Sequence, residues 1–146
     1  MFQDEIESDD LVIIMGYLNM KTILVLDDEE SIQTLLNDIL TDEGYRVILS
    51  DDGEEVMEIL KKEKIDLIIT DMMMPKANGQ EVYTSIRVAF AQEGKEDLVP
   101  PAIILTAHPG SDKTQFLLMM EKGIKKVISK PFQIDELLAA VKEFIS

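Results

Sequence analysis

From residue 22 onward, short solid runs of apolar residues alternate with longer stretches in which apolar residues return every three or four positions. The solid runs are ILVL (23–26), RVILS (46–50), DLIIT (66–70), AIILT (102–106) and KVIS (126–129). Runs of this length without a polar face predict strands covered on both sides, as in a parallel sheet. The spaced stretches predict helices. Ile32, Leu35, Leu36, Ile39 and Leu40 fall on one helical face; Val56, Ile59 and Leu60 repeat the spacing, as do Val82, Ile86, Ala89 and Phe90. Ile134, Leu137, Leu138, Val141 and Ile145 form a last such face. Strands alternating with helices mean βαβ units with right-handed crossovers, hence an α/β fold: a doubly wound, five-stranded parallel sheet with helices on both faces. The irregular connection is AQEGKEDLVPP (91–101), where Gly94 and Pro100-Pro101 mark a loop.

Composition sets the bounds on this picture. A chain of 146 residues with 46% hydrophobic content can fill one core and is too short for two ordinary domains. It has no cysteine, so disulfides and thiolate metal sites are excluded. The 29 acidic against 14 basic residues leave a net charge of -15, which disfavours direct binding to nucleic acid or an anionic membrane and favours cations and protein partners. No run approaches the ~20 apolar residues of a spanning helix, and MFQDEIESDD lacks the basic flank of a secretory signal; a soluble, cytoplasmic protein is expected. Residues 1–19 stand apart. Asp4, Glu5, Glu7, Asp9 and Asp10 precede the apolar patch LVIIMGYL with no basic residue, and Met20-Lys21 opens what reads like a natural chain start. The expected organisation is an acidic, apolar extension over 1–19 and a domain over 20–146. The extension reads either as a loosely packed appendage or as a segment, Leu11 to Leu18, that docks on an edge strand or a partner.

The strands end in chemistry. Asp27-Asp28 follow the first run, Asp71 the third, Thr106 closes the fourth and Lys130 follows the fifth. In a parallel sheet these groups emerge at one carboxyl edge, where open α/β sheets place their sites. A nucleotide or flavin binder would need glycine or hydroxyl donors after the first strand, but the position carries DDEES. Helix-dipole stabilisation of about 0.3–1 kcal/mol each explains Glu29 and Glu30. It does not explain Asp71, whose carboxylate crowds the others unless a cation lies between. A hard divalent ion, magnesium or manganese, fits such an oxygen set.

ILVLDDEES, DLIITDMMMPKANG, AIILTAH and KKVISKPF, in this order and spacing, resemble the receiver domain of bacterial two-component response regulators over about residues 20–146. The resemblance implies a flavodoxin-like fold. It also implies Asp71 as phosphoacceptor, Asp27, Asp28, Asp71 and the Met73 carbonyl as magnesium ligands, Thr106 as switch hydroxyl and Lys130 as phosphate-binding cation. A carboxylate nucleophile beside a metal and an ammonium is a workable constellation for phosphoryl transfer. Pro131 after Lys130 suggests a cis bond. Two departures qualify the likeness: Val127 stands where the family usually carries an aromatic switch residue, and His108, two residues past Thr106, falls where the family tunes loss of the phosphoryl group. Met72–Met74 reads as soft filler rather than a metal site.

The resemblance further implies a protein that catalyses only its own phosphorylation and dephosphorylation. It would take its phosphoryl group from a histidine kinase or phosphotransfer protein. With no further domain after Ser146 in this sequence, a stand-alone receiver is expected. Its effector, a kinase or a second copy could bind the family's usual signalling face, its fourth helix, fifth strand and fifth helix. Phe116–Met120 would contribute to that face if Leu117 and Met120 point to the core and Phe116 and Met119 outward. Two other classes compete. A degenerate receiver acting as a phosphorylation-independent interaction module is disfavoured by intact Asp28, Asp71, Thr106 and Lys130. A metal-dependent phosphohydrolase would want an acid after the nucleophile, where Met72 and Met73 stand.

Overall fold

The structure is a computed structural model, and residues 6–74, 78–107 and 119–145 are described. Five parallel strands, β1 (Thr22–Leu26), β2 (Arg46–Ser50), β3 (Leu67–Asp71), β4 (Ala102–Thr106) and β5 (Ile124–Ser129), form one sheet in the order β2-β1-β3-β4-β5. β1, β3 and β4 are buried along their whole length, which is why they read as solid apolar runs. Among the described residues the α-helices named here are α1 (Ser8–Leu18), α2 (Glu30–Asp42), α3 (Val56–Lys62), α4 (Gly79–Gln92) and α5 (Ile134–Ile145). Leu36 and Leu40 of α2 and Leu137, Ala140 and Val141 of α5 pack on one face of the sheet against Ile23, Val25, Leu67 and Ile69. Val56 of α3 and Val82, Tyr83 and Ile86 of α4 pack on the other against Leu24, Leu26, Ile68 and Ile104. The strand order reverses direction between β1 and β3, and that switch point opens the crevice at their carboxyl ends.

Several boundaries move from the sequence reading, each for a local reason. Asp71 is the last residue of β3 rather than the residue after it, paired with Leu105 in register. Asp66 is not in the strand: its carboxylate accepts the Thr22 N–H at 2.8 Å, tying the start of β1 to the start of β3. β5 begins two residues early, at Ile124, because a register shift opposite Ala102 and Ile103 absorbs an extra residue. Within the 91–101 connection, Glu96–Leu98 winds into a 3-10 turn. Met119 and Met120 are both exposed, so Met120 does not face the core; Phe116–Leu118 and His108 lie outside the described residues.

The N-terminal segment differs most. The stretch Leu11 to Leu18, read as part of a loose appendage or as a docking segment, lies in a helix, α1, with no buried residue, and Val12, Ile13 and Leu18 are each at least 69% exposed. Asp9 and Asp10 in its first turn suit the helix dipole, and a helix satisfies its backbone internally without an edge strand to pair with. Among the described residues, it touches the body through the ring of Tyr17, 5.9 Å from the guanidinium carbon of Arg46.

Candidate functional site

The first strand delivers Asp27 completely buried and held on four sides. Its N–H donates to the Ser50 carbonyl of β2 (3.2 Å), and its own carbonyl accepts from the Gln33 side-chain amide (2.6 Å). Its Oδ1 accepts the Glu29 N–H (2.9 Å) and its Oδ2 accepts from Lys130 Nζ (2.8 Å). Each oxygen lost from water is thereby repaired by a protein donor. Asp28, the next residue, is exposed. The third strand delivers Asp71, buried, with the Met73 N–H directed at its Oδ1 at 3.4 Å. Carboxylate oxygens of Asp27, Asp28 and Asp71 all lie within 4.8 Å of one another.

Lys130 arrives from the far side. It follows β5, its N–H donates to the Thr106 carbonyl at 2.7 Å, and the Lys130-Pro131 bond is cis, as the sequence suggested. Its ammonium is 3.3 Å from Glu29 Oε1 and 3.5 Å from Asp71 Oδ2, besides the Asp27 bond. Thr106 closes β4 as a buried residue. Of the predicted residues, then, Asp27, Asp28 and Asp71 cluster within 4.8 Å, and Lys130 reaches Asp27 and Asp71. Thr106 is joined to Lys130 through the backbone, and Met73 lies beside Asp71, bridged to Asn78 with its side chain exposed. Met72 and Met74 are half-buried against the α3–α4 core, the filler role expected of them.

The electrostatics follow from one cation among several anions. Burial pushes the Asp71 carboxyl above its ordinary value and the Asp27 charge adds to this; Lys130 and the Met73 N–H recover only part. Burial alone would lower the Lys130 ammonium, but its hydrogen bond to Asp27 and the charges of Asp27, Asp71 and Glu29 outweigh it and hold the ammonium above its usual range. Three carboxylates on one ammonium are short of positive charge. The oxygen-only donor set and its spacing fit a hard divalent cation with room for waters.

Three contributors escaped the sequence reading. Glu29, credited only with helix-dipole stabilisation, also contacts Lys130. Gln33 sits one turn into α2 and clamps the Asp27 carbonyl. Gly79, the first residue of α4, lies so close to β3 that a Cβ there would sit 2.4 Å from the Asp71 carbonyl oxygen and 3.0 Å from Thr70 Oγ1. The available hint was the Asn78-Gly79 dipeptide, with Asn78 capping α4 through a 2.7 Å bond from the Glu81 N–H.

Comparison with known proteins agrees with this geometry. The family model described as the response regulator receiver domain matches residues 23–142. The chain is 40% identical over 125 residues to the alkaline phosphatase synthesis transcriptional regulatory protein PhoP of Bacillus subtilis (strain 168), a match over 86% of this chain and 48% of PhoP. It is 34% identical over 126 residues to the transcriptional regulatory protein CpxR of Escherichia coli (strain K12), covering 86% and 50%. The chain thus spans about half the length of these relatives. Among solved structures, chemotaxis protein CheY4 of Vibrio cholerae superposes with a TM-score of 0.73 at 27% identity, over 86% of this chain and 99% of that one. The five-stranded parallel sheet, its strand order and the acidic cluster at its carboxyl edge are thereby accounted for together: the chain belongs to the response regulator receiver domain family.

Proposed function

We propose that the protein is a phosphorylation-controlled switch in which Asp71 accepts a phosphoryl group from a histidine kinase or phosphotransfer protein. What supports this reading is Asp71 itself, a buried carboxylate kept beside a second carboxylate that raises its proton affinity, an arrangement a purely structural site would avoid. An Asp71 oxygen forms the new P–O bond as the donor's P–N bond breaks, the electron pair leaving on the donor nitrogen. Lys130 slides from Asp27 toward the incoming phosphoryl oxygens, a short move because its ammonium already stands 3.5 Å from Asp71. The Thr106 hydroxyl takes a phosphoryl oxygen as hydrogen-bond partner and draws its loop inward. Asp27, Asp28 and Asp71, with the Met73 carbonyl, would hold magnesium or manganese, which screens the approaching anionic oxygens. Val127, partly buried beside β4, leaves the response to Thr106 without an aromatic partner.

The switched surface would present itself to an effector, in a cytoplasmic receiver domain that does not itself contact DNA or membrane. Among the described residues, no helix is long and apolar enough to cross a membrane. Incubation with acetyl phosphate and magnesium, read by intact mass, should give one phosphoryl adduct that is absent without the metal and absent in Asp71→Asn. An unchanged adduct in Asp71→Asn would refute the assignment.

A further inference from the structure

The feature left over once the site is accounted for is α1, which lies outside the residues that match the receiver family. Ile6, Leu11, Val12, Ile13, Ile14, Met15, Tyr17 and Leu18 are all between 43% and 73% exposed. A helix apolar all round belongs in a core or an interface. So many adjacent large apolar side chains reach the roughly 300–600 Å² of the largest patch on an ordinary monomer.

The same molecule carries an open apolar cleft of about 490 Å³ between α3, α4 and the turn before β4. Met57 and Leu60 form one wall and Phe90, Leu98 and Pro100 the other; Leu98 is 67% exposed. Lys61, Lys64 and Lys95 stand on its rim with exposed side chains, each beside a carboxylate: Glu58 at 3.7 Å, Asp66 at 4.0 Å and Glu93 at 3.6 Å. These pairs balance the rim's charge on a chain of net charge -15, so residues 1–19, which contain acidic residues and no basic one, meet less repulsion there than on the rest of the surface. Helix and cleft therefore match in polarity, and charge does not hold them apart.

They are also neighbours. Tyr17 rests over Arg46, Arg46 bonds both carboxylate oxygens of Glu63 at 2.8 and 3.1 Å, and Glu63 lines the cleft. That contact holds α1 beside its own cleft, not in it. A surface that carries a feature and its complement side by side is self-complementary under a two-fold axis. We infer that two copies pair through this face, α1 of each lying in the α3–α4 cleft of the other. A specific interface buries roughly 1,200–2,000 Å², and the two-fold axis uses α1 and the cleft twice over. The inference does not depend on phosphorylation, and Asp71→Asn should pair as the parent does.

The test is light scattering after size exclusion on the full chain over a range of concentrations. The parent protein should dimerise. Val12→Asp with Ile13→Asp damages the helix, and Leu98→Asp with Lys95→Glu damages the cleft, all at exposed positions so that thermal melts stay parental. Each double variant should dimerise at least tenfold more weakly, and an equal mixture of the two should recover dimer, because one intact helix then meets one intact cleft. A monomeric parent overturns the inference, whether its α1 amides are protected by closure onto its own cleft or it binds phosphatidylcholine vesicles instead. A dimer lost with the helix variant but kept with the cleft variant means helix-to-helix pairing and overturns it as well.

Discussion

Two ion-pair sites bracket the sheet, and they are built on opposite plans. At the amino end, the Arg46 guanidinium meets one carboxylate, Glu63, through two parallel bonds, partly open to water and balanced in charge. At the carboxyl end, one ammonium, Lys130, faces the carboxylates of Asp27, Glu29 and Asp71, with Asp28 adjoining and Asp27 and Asp71 buried. The first closes on itself and stabilises modestly; the second is left with an excess of negative charge in a place where charge is costly. The comparison teaches how to tell a structural pair from a site: the mismatch in count, together with burial, marks the place reserved for something brought from outside.

The largest break in that contrast comes from Asp71→Asn. It should abolish the phosphoryl adduct and, in metal-free protein, raise stability by about 1–2 kcal/mol in urea melts, because it removes a buried charge from an overcrowded set. A drop in stability would mean that the cluster is balanced after all. Gly79→Ala comes next. Its Cβ would press on the Asp71 carbonyl at 2.4 Å, and forcing the contact should cost about 2–3 kcal/mol and slow phosphorylation although Gly79 carries no side chain of its own. Magnesium should raise the melting temperature of the parent protein, by mass action on the folded state. Asp28→Asn, at the exposed carboxylate of the cluster, should forfeit most of that gain while leaving the metal-free melt nearly unchanged.

The smallest effects are those of pH, and they have opposite signs at the two ends. Asp71 has a raised folded pKa, so its penalty is absent below the ordinary carboxyl value near ~3.9 and grows as pH climbs from there to the raised value. The stability gap between Asp71→Asn and the parent should therefore open with rising pH across that window, in metal-free buffer. Glu63 has a lowered folded pKa, held down by its hydrogen bonds to Arg46. Its stabilisation is full above the ordinary value near ~4.3 and is lost as pH falls through the folded one, so the deficit of Glu63→Gln should shrink on acidification. Stability measured from pH 3 to 7 on both variants checks the pair; equal slopes would erase the distinction.

The carboxyl-edge residues were legible because strand ends are the most regular positions of a parallel sheet. Once ILVL and LIIT are read as adjacent buried strands, Asp27 and Asp71 have little freedom to be elsewhere. Lys130 and Thr106 followed by the same logic across β4 and β5. Glu29, Gln33 and Gly79 were not legible, since their parts depend on how far a side chain reaches or how closely a helix start approaches, and residue spacing does not encode either. Asp66 was misplaced because a polar residue before an apolar run reads as strand when it is instead a brace to Thr22. The LVIIMGYL stretch was the hardest: its apolar content signals burial, whereas in the chain by itself it is a helix with nothing over it.

The bond from the Lys130 N–H to the Thr106 carbonyl joins the hydroxyl-bearing strand to the ammonium-bearing one at their very ends. Two detectors mounted on separate loops would each wobble and report independently; fastened at 2.7 Å, they share one hinge. On the roles proposed for Thr106 and Lys130, an anion that engages either side chain would pull on the anchor of the other, so the two readings would arrive as one event, with the sharpness of a latch rather than the drift of a dial.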